Sequence, residues 1–403
     1  VEWTVDAQIR PRVEARSNHH FGLEDDRRYF NQADTFATFN QRTRLGVGAE
    51  LDHLSGYAQV QHAGEWGLTG GDELSDPQTG LHQGWLRYEP DESWALKVGR
   101  QELVYGDARV LGNVDWSQNG RAWDAALVEW TPSEAVGLDV FAGRYEAGAF
   151  MSGFSGVDSL LVDDAYLTGA YLSLSEVAKP ALDDIDVYAL YDVQIDDLSD
   201  EQPNRQNVIG LGSRLAGKWG MVDGTAEGMY QLGSNCEEFG GVEEECTDET
   251  IDRRAWMIDA ELGVELYEPN DVRAFAAFSH ATGDDPETDE TIEGYFQFYP
   301  TAHKWLGLMD LIGPRTNIQE LRGGASASLG PVDLRESVHY FRRLEPEAES
   351  VGLEFDTTVG ASLSDVLGLS AGHGLFVPEE GASSNGEPAG VANWVYLQLN
   401  GEF

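Results

Sequence analysis

Arginine is the residue type in this chain best suited to chemistry at a fixed place, because its guanidinium stays charged and forks onto carboxylates. Arg10 and Arg12 stand two apart, as do Arg42 and Arg44, and Arg87, Arg100 and Arg121 follow. Residues two apart share one face of a strand, so each pair presents two cations to the same side. Arg144, Arg214, Arg273, Arg322 and Arg335 continue the series. Acids are as numerous at comparable positions: Asp124, Glu354 and Asp356, with Asp186, Asp192, Asp223, Glu227, Asp259 and Glu261. Such a wall could line a pore and conduct an anion, offsetting its lost hydration with fixed cations. The same residues could equally form arginine–carboxylate ladders that stiffen the wall and select nothing; Asp6, Glu14, Glu50 and Asp124 are placed for that. No nucleophile elbow, zinc-binding HExxH helix or glycine-rich phosphate loop is present, so the expectation is that the protein is not an enzyme.

A second group gathers in residues 282–316, which carry Tyr295, Phe296, Phe298, Tyr299, His303, Lys304, Trp305 and Asp310. This aromatic and charged stretch is expected to fold inward as a constriction, with His303, Lys304 and Asp310 at it. Stacking of its rings on sugars is the alternative. Cys236 and Cys246 flank an acidic, glycine-containing stretch with no CxxC pair, which reads as a loop disulfide from an oxidising compartment. His19 and His20, near Asp25 and Asp26, are expected to be exposed. Acidic stretches such as GLEDD, GDELSD, DDLSDEQ, EEEC and GDDPETDE form either a solvated surface or Ca²⁺ or Mg²⁺ bridges to lipopolysaccharide, since hard cations take carboxylate oxygens. Their spacing matches no EF-hand.

The elements that must position these groups are strands. From Val1 to Ala15 the odd positions read Val1, Trp3, Val5, Ala7, Ile9, Val13 and Ala15, while the even ones include Glu2, Asp6, Arg10, Arg12 and Glu14. Trp256–Leu266 and Val351–Leu363 alternate in the same way. About 18 such segments recur, beginning near residues 1, 38, 55, 82, 93, 121, 135, 164, 183, 206, 219, 252, 271, 317, 332, 350, 366 and 391, each of roughly the length a tilted membrane strand needs. Short turns such as HLSG at 53, EPDE at 89 and TPSE at 131 alternate with long connections over residues 17–37, 65–81, 101–120, 146–163, 195–205, 233–251, 282–316 and 378–390. An all-β, antiparallel transmembrane barrel with short periplasmic turns and long extracellular loops produces that rhythm. The 403 residues show no linker, so 1–403 reads as one barrel domain.

Composition removes other classes. With 26 basic and 71 acidic side chains the net charge is −45, which repels nucleic acid. No run approaches the ~18 apolar residues of a membrane helix. Val1 opens directly into a strand pattern, as expected if a leader has been removed. The chain ends in VANWVYLQLNGEF, a last strand closing on Phe403, like the signal presented to the barrel-assembly machinery.

The stretch LKVGRQELVYGDARVLGNVDWSQNGRAWDAALVEW resembles the alginate-export family of outer-membrane barrels. The matching residues are Gly99, Arg100 and Gln101; Tyr105, Gly106 and Asp107; Leu111, Gly112, Asp115 and Trp116; and Arg121, Trp123 and Asp124. YPTAHKWLGLMDLIGPRTNIQEL, QRTRLGVGAEL and the run from Val351 are also similar to the family. The resemblance spans nearly the whole chain. It implies an 18-stranded barrel in the outer membrane of a Gram-negative bacterium and passage of an anionic uronate polysaccharide, with Arg42, Arg44, Arg100 and Arg121 on family-like motifs. Small solutes are the other cargo. The rival expectations are a general or cation-preferring porin sharing only the fold, and a structural barrel scaffolding a surface assembly.

Overall fold

The computed structural model describes residues 1–18, 35–66, 78–145, 164–195, 205–236, 250–288, 291–382 and 390–403. The first wall strands are β1 (Glu2–Ser17), β2 (Thr35–Leu51), β3 (Leu54–Glu65), β4 (Gln78–Asp91), β5 (Trp94–Gln101) and β6 (Trp123–Ser133). They continue as β7 (Val136–Tyr145), β8 (Asp164–Ser175), β9 (Asp184–Ile195), β10 (Arg205–Trp219), β11 (Val222–Cys236), β12 (Thr250–Tyr267) and β13 (Val272–Ala281). After the two-residue β14 (Thr291–Ile292) come β15 (Ile318–Leu329), β16 (Val332–Arg343), β17 (Ser350–Ser364), β18 (Leu367–Pro378) and β19 (Ala392–Glu402).

Among the described residues, 18 of the 19 strands make the wall, each antiparallel to its neighbours, and β1 closes the ring by pairing with both β2 and β19. β14 stands apart, pairing parallel with β12. Closure matters physically because a barrel leaves no strand edge with unpaired backbone groups in lipid. Every segment expected from alternation is a wall strand.

The alternation sorts the two faces. On β1, Trp3 and Val5 are each 69% exposed, whereas Arg10 and Arg12 between them and the loop end are 3% and 5% exposed. The greasy face is therefore outside and the charged face inside, the reverse of a soluble protein and the arrangement lipid demands. Exposed aromatics stand near strand ends, with Tyr88, Trp94, Trp219 and Tyr267 at the tight-turn end and Trp66, Tyr191, Tyr230 and Trp256 toward the other. These are the girdles that anchor a barrel at the two interfaces. The chain ends meet at the tight-turn end, where Phe403 and Ala7 exchange backbone hydrogen bonds of 2.9 and 3.1 Å.

Candidate functional site

Two connections on the long-loop side run into the ring of strands. Residues 102–122, between β5 and β6, are held by four arginines of β1 and β2. Arg10 donates to the Asp115 and Ser117 carbonyls at 2.7 and 2.6 Å, and Arg12 donates to the Trp116 carbonyl at 2.8 Å. Arg42 reaches the Asp115 carboxylate at 2.8 Å, and Arg44 lies 3.5 Å from the same oxygen. The Arg12 guanidinium also sits 4.1 Å from the Trp116 ring centre. Arg10 and Arg42 are register partners, so the arginines repel one another unless acceptors lie between them. Successive backbone carbonyls and the Asp115 carboxylate supply those acceptors, with Glu14 at 2.7 Å from Arg12 and Glu102 at 3.8 Å from Arg44. Partial burial pushes the Asp115 carboxyl up, but the fields of Arg42 and Arg10 outweigh it and hold the group below its usual range. On β4, His82 meets Glu102 at 2.7 Å.

Residues 282–317, between β13 and β15, are held by side chains of β9, β11, β13 and β17 on either side of them. Tyr299 donates to Asp192 of β9 at 2.6 Å, and Gln231 of β11 exchanges two bonds with the Phe296 backbone at 2.6 and 2.8 Å. Met309 and Leu308 donate their backbone N–H groups to Glu354 and Asp356 of β17 at 2.8 and 3.2 Å. Gly307 makes this approach feasible: its φ is +87°, and a Cβ there would lie 2.5 Å from the Glu354 carboxyl. Arg315 hydrogen-bonds Ser279 and reaches Asp259 at 3.5 Å.

The two segments also grip each other. Gly112 donates to the Tyr299 carbonyl at 2.8 Å, Tyr299 to that of Val110 at 2.9 Å, and Thr301 to that of Ala108 at 2.9 Å. Arg121 ties them again, donating to the Gly112 and Pro300 carbonyls at 3.2 and 3.1 Å. His303 stacks on Trp116 with ring centres 4.1 Å apart and planes 7° from parallel, while its Nδ1 meets Asp310 at 2.8 Å. Leu103, Val110, Leu111, Tyr295, Phe298 and Met309 share one buried apolar cluster. The lumen thus contains a small core of its own, built from two segments far apart in sequence.

A column of cations interleaved with aromatics runs beside this core. The Arg109 guanidinium lies 3.6 Å from the Trp305 ring centre, and the Lys304 ammonium lies 4.8 Å from it. Arg322, Arg335 and Arg273 lie 6.0, 4.7 and 5.6 Å from the Phe275 ring centre. Acids pair with most of them: Arg109 with Asp259 at 2.6 Å, Arg322 with Glu261 at 2.9 Å, and Arg273 with Asp223 at 2.5 Å. Burial pushes the Lys304 ammonium below its usual pKa, Asp107 partly opposes this, and Arg109 and Arg335 add to it. At the tight-turn end, Arg335 helps line a cavity of about 430 Å³ with Asp333, Ser326, Ser328, Thr358 and Ser370.

The residues singled out from sequence fall into several places. Arg10, Arg12, Arg42 and Arg44 face inward but are engaged by residues 115–117; Glu354 and Asp356 likewise hold residues 308 and 309. Arg87 faces inward near the tight-turn end and pairs with Glu129 at 2.9 Å. Arg100 and Asp124 require correction. They pair with each other at 2.7 Å, 41% and 57% exposed, at the parity of the exposed Leu96 and Val98, on the outer face of the wall. Arg121 is no wall residue and clamps the two segments together. His303, Lys304 and Asp310 all lie in the infolded second segment, where His303 meets Asp310 at 2.8 Å and Lys304 donates to the Asp107 carbonyl at 3.2 Å. The pairing of Cys236 with Cys246, the His19–Asp26 stretch and most of the acidic stretches lie outside the described residues. Among the described residues no group of three His, Cys, Asp or Glu could hold a metal ion. Sequence reasoning missed the roles of Asp115, Arg109 and Trp305; Asp115 was visible only as part of a motif.

A search of curated proteins returns no match. Solved structures similar in fold include Pseudomonas aeruginosa OccK2 (OpdF) in complex with glucuronate, at 11% identity and TM-score 0.64, covering 100% of this chain and 98% of that one. Pseudomonas aeruginosa OpdK with vanillate matches at 9% identity and TM-score 0.63, with 100% and 98% coverage. Acinetobacter baumannii OccAB4 matches at 10% identity and TM-score 0.64, with 100% and 99% coverage. Identities this low establish the shared barrel fold alone. The alginate export family profile matches residues 1–368 of this closed antiparallel barrel, and the chain belongs to that family of outer-membrane channels of Gram-negative bacteria.

Proposed function

We propose that the barrel is a passive conduit for a carboxylate-bearing sugar chain of the uronate type. The observation that carries this reading is the column Arg109, Lys304, Arg322, Arg335 and Arg273, spaced by Trp305 and Phe275 and ending at a cavity rich in hydroxyls. Guanidinium and ammonium groups offset a carboxylate's lost hydration, aromatic faces suit sugar rings, and serine and threonine hydroxyls exchange hydrogen bonds with sugar hydroxyls. Glucuronate in the OccK2 structure is itself a uronate, which supports a carboxylated ligand in a barrel of this shape. The arginines of β1 and β2 then serve to hold residues 102–122 rather than to conduct.

A second reading, a weakly selective porin for small solutes, is favoured by the acids that pair with this column, notably Asp259, Glu261 and Asp223. The reversal potential of the purified barrel in a planar bilayer under a salt gradient separates the two. Anion preference, with block by an oligouronate and none by a neutral oligosaccharide of equal length, is the expected result. Cation preference without block would leave the small-solute porin. No conductance at all would favour a structural barrel.

A further inference from the structure

Three polar side chains stand in a row on the outer face of the wall, at its long-loop rim. His280 of β13, Gln319 of β15 and Arg342 of β16 are successive register partners, and each is one residue from the long-loop end of its strand. They face outward, because they share the parity of Leu321 on β15 and Val338 on β16, which are 53% and 41% exposed. His280 is fixed there by two outward rings. Its ring centre lies 4.5 Å from that of Trp256 and 6.3 Å from that of Phe278, with planes 19° and 23° from parallel.

What distinguishes this row is that it offers hydrogen-bond donors and contains no carboxylate. Elsewhere on the rim the outward arginines stand beside acids: Arg100 meets Asp124 at 2.7 Å, Asp124 is also the register partner of Arg144, and Arg254 lies 3.6 Å from Asp252. The Arg342 side chain makes no hydrogen bond or ion pair with a described residue, and neither does the Gln319 amide or a His280 ring nitrogen. Glu345, Glu347 and Glu349 follow in the next turn, yet none forms an ion pair with Arg342. A net charge of −45 repels anionic lipid from most of this surface. A row of donors with no acid, placed where the apolar band meets headgroups, is a gap in that repulsion.

We propose that His280, Gln319 and Arg342 form a docking site for the phosphorylated headgroup of an outer-leaflet glycolipid of the lipopolysaccharide class. Long-loop ends of such barrels face the cell exterior, so the row meets the outer leaflet. The guanidinium forks onto phosphate oxygens, and the Gln319 amide and one imidazole N–H add donors from the adjacent strands. Strand spacing sets His280 and Arg342 about 10 Å apart, a gap the long arginine stem can lean across. Phe278, Leu321 and Tyr340 form the next outward row and present apolar surface to acyl chains. Trp256, 42% exposed, lies beside His280 as an interfacial anchor. A neutral lipid would leave the donors of Arg342 unmet, and soluble phosphate would gain nothing from the apolar row. The contact is direct, and so differs from metal bridging by the acidic stretches.

The test is a titration of the purified barrel in detergent with diphosphoryl lipid A, read by native mass spectrometry in the presence of EDTA. The parent should retain the lipid, and Arg342→Ser combined with Gln319→Leu should lower the bound fraction roughly tenfold or more. Lipid A stripped of its phosphates should bind the parent no better than intact lipid A binds that variant. Arg100→Ser, which removes an outward arginine paired with Asp124, should bind as the parent does. Heat-modifiable migration on gels verifies that each variant is a folded barrel. A folded parent that retains no lipid A under EDTA, a double variant that retains as much as the parent, or equal retention of the stripped lipid overturns the proposal. Displacement of the lipid by millimolar inorganic phosphate would show a site for the free anion and overturn it as well.

Discussion

Arg42 and Asp115 meet at 2.8 Å, one fully buried on the inner wall and the other at the tip of a segment that enters the barrel from the long-loop side. The pair joins wall to infolded segment, and Arg10 and Arg44 converge on the same carboxylate. Removing that charge leaves Arg10 and Arg42 with only carbonyl oxygens as acceptors, and Arg44 with Gln61 and the more distant Glu102.

Asp115→Asn should therefore loosen residues 102–122 without unfolding the wall. Breaking a buried pair costs roughly 3–5 kcal/mol, but the Asp115 side chain is 53% exposed, so solvent screening lowers the expected loss to about 1–2 kcal/mol. Single-channel recordings should show larger and noisier openings, while the melting of the barrel measured by heat-modifiable migration should change little. Unaltered conductance would mean the arginines hold the segment through its carbonyls alone.

The same carboxylate sets a pH dependence. Its pKa is depressed in the folded protein, so the stabilisation it gives is complete above the unfolded value of about 3.9 and is lost as pH falls through the lower folded value. Conductance should stay constant from neutral pH down to the usual carboxylate range and then rise in stronger acid. The step should be absent in Asp115→Asn, which lacks the titrating group; a step of equal size in that variant would assign it to another carboxyl.

Gly307 tests the second segment from β17. At φ +87°, with Glu354 where a side chain would go, Gly307→Ala must lift residues 307–309 off β17. The backbone strain alone is about 1–2 kcal/mol, and two hydrogen bonds to buried carboxylates are weakened with it. Proteolysis within residues 282–317 should become faster than in the parent, while the strands stay protected. Equal protection would show that the bonds from Met309 and Leu308 do not hold the segment.

How far the sequence discloses this arrangement depends on what each feature is made of. The wall is legible because lipid outside and polar groups inside impose a period of two, and β1 displays it from Trp3 to Ala15. Arg100 shows how the same signal is lost: it stands just before the long connection expected from residue 101 and groups in sequence with the inward arginines, whereas β5 runs through to Gln101 and its parity places Arg100 with Leu96 and Val98 outside. The grip between residues 102–122 and 282–317 is not legible at all. Its bonds join backbone groups of Gly112, Val110 and Tyr299, which carry no side-chain signature.

Selectivity should reside in the cationic column and not in the arginines that hold residues 102–122. Lys304→Ser combined with Arg335→Ser removes two cations, neither of which anchors a segment through an ion pair to a buried acid, and it leaves nearby acids such as Glu261 and Asp107 in place. The reversal potential should then move toward cation preference, by about 10 mV or more under a tenfold salt gradient if these groups face the narrowest point. Arg100→Ser, on the outer face beside Asp124, should leave the potential unchanged. A shift with Arg100→Ser equal to that of the double variant would mean the long-range field of the whole barrel governs permeation. A null result for both would remove the column from the conducting path and leave the small-solute porin as the better account.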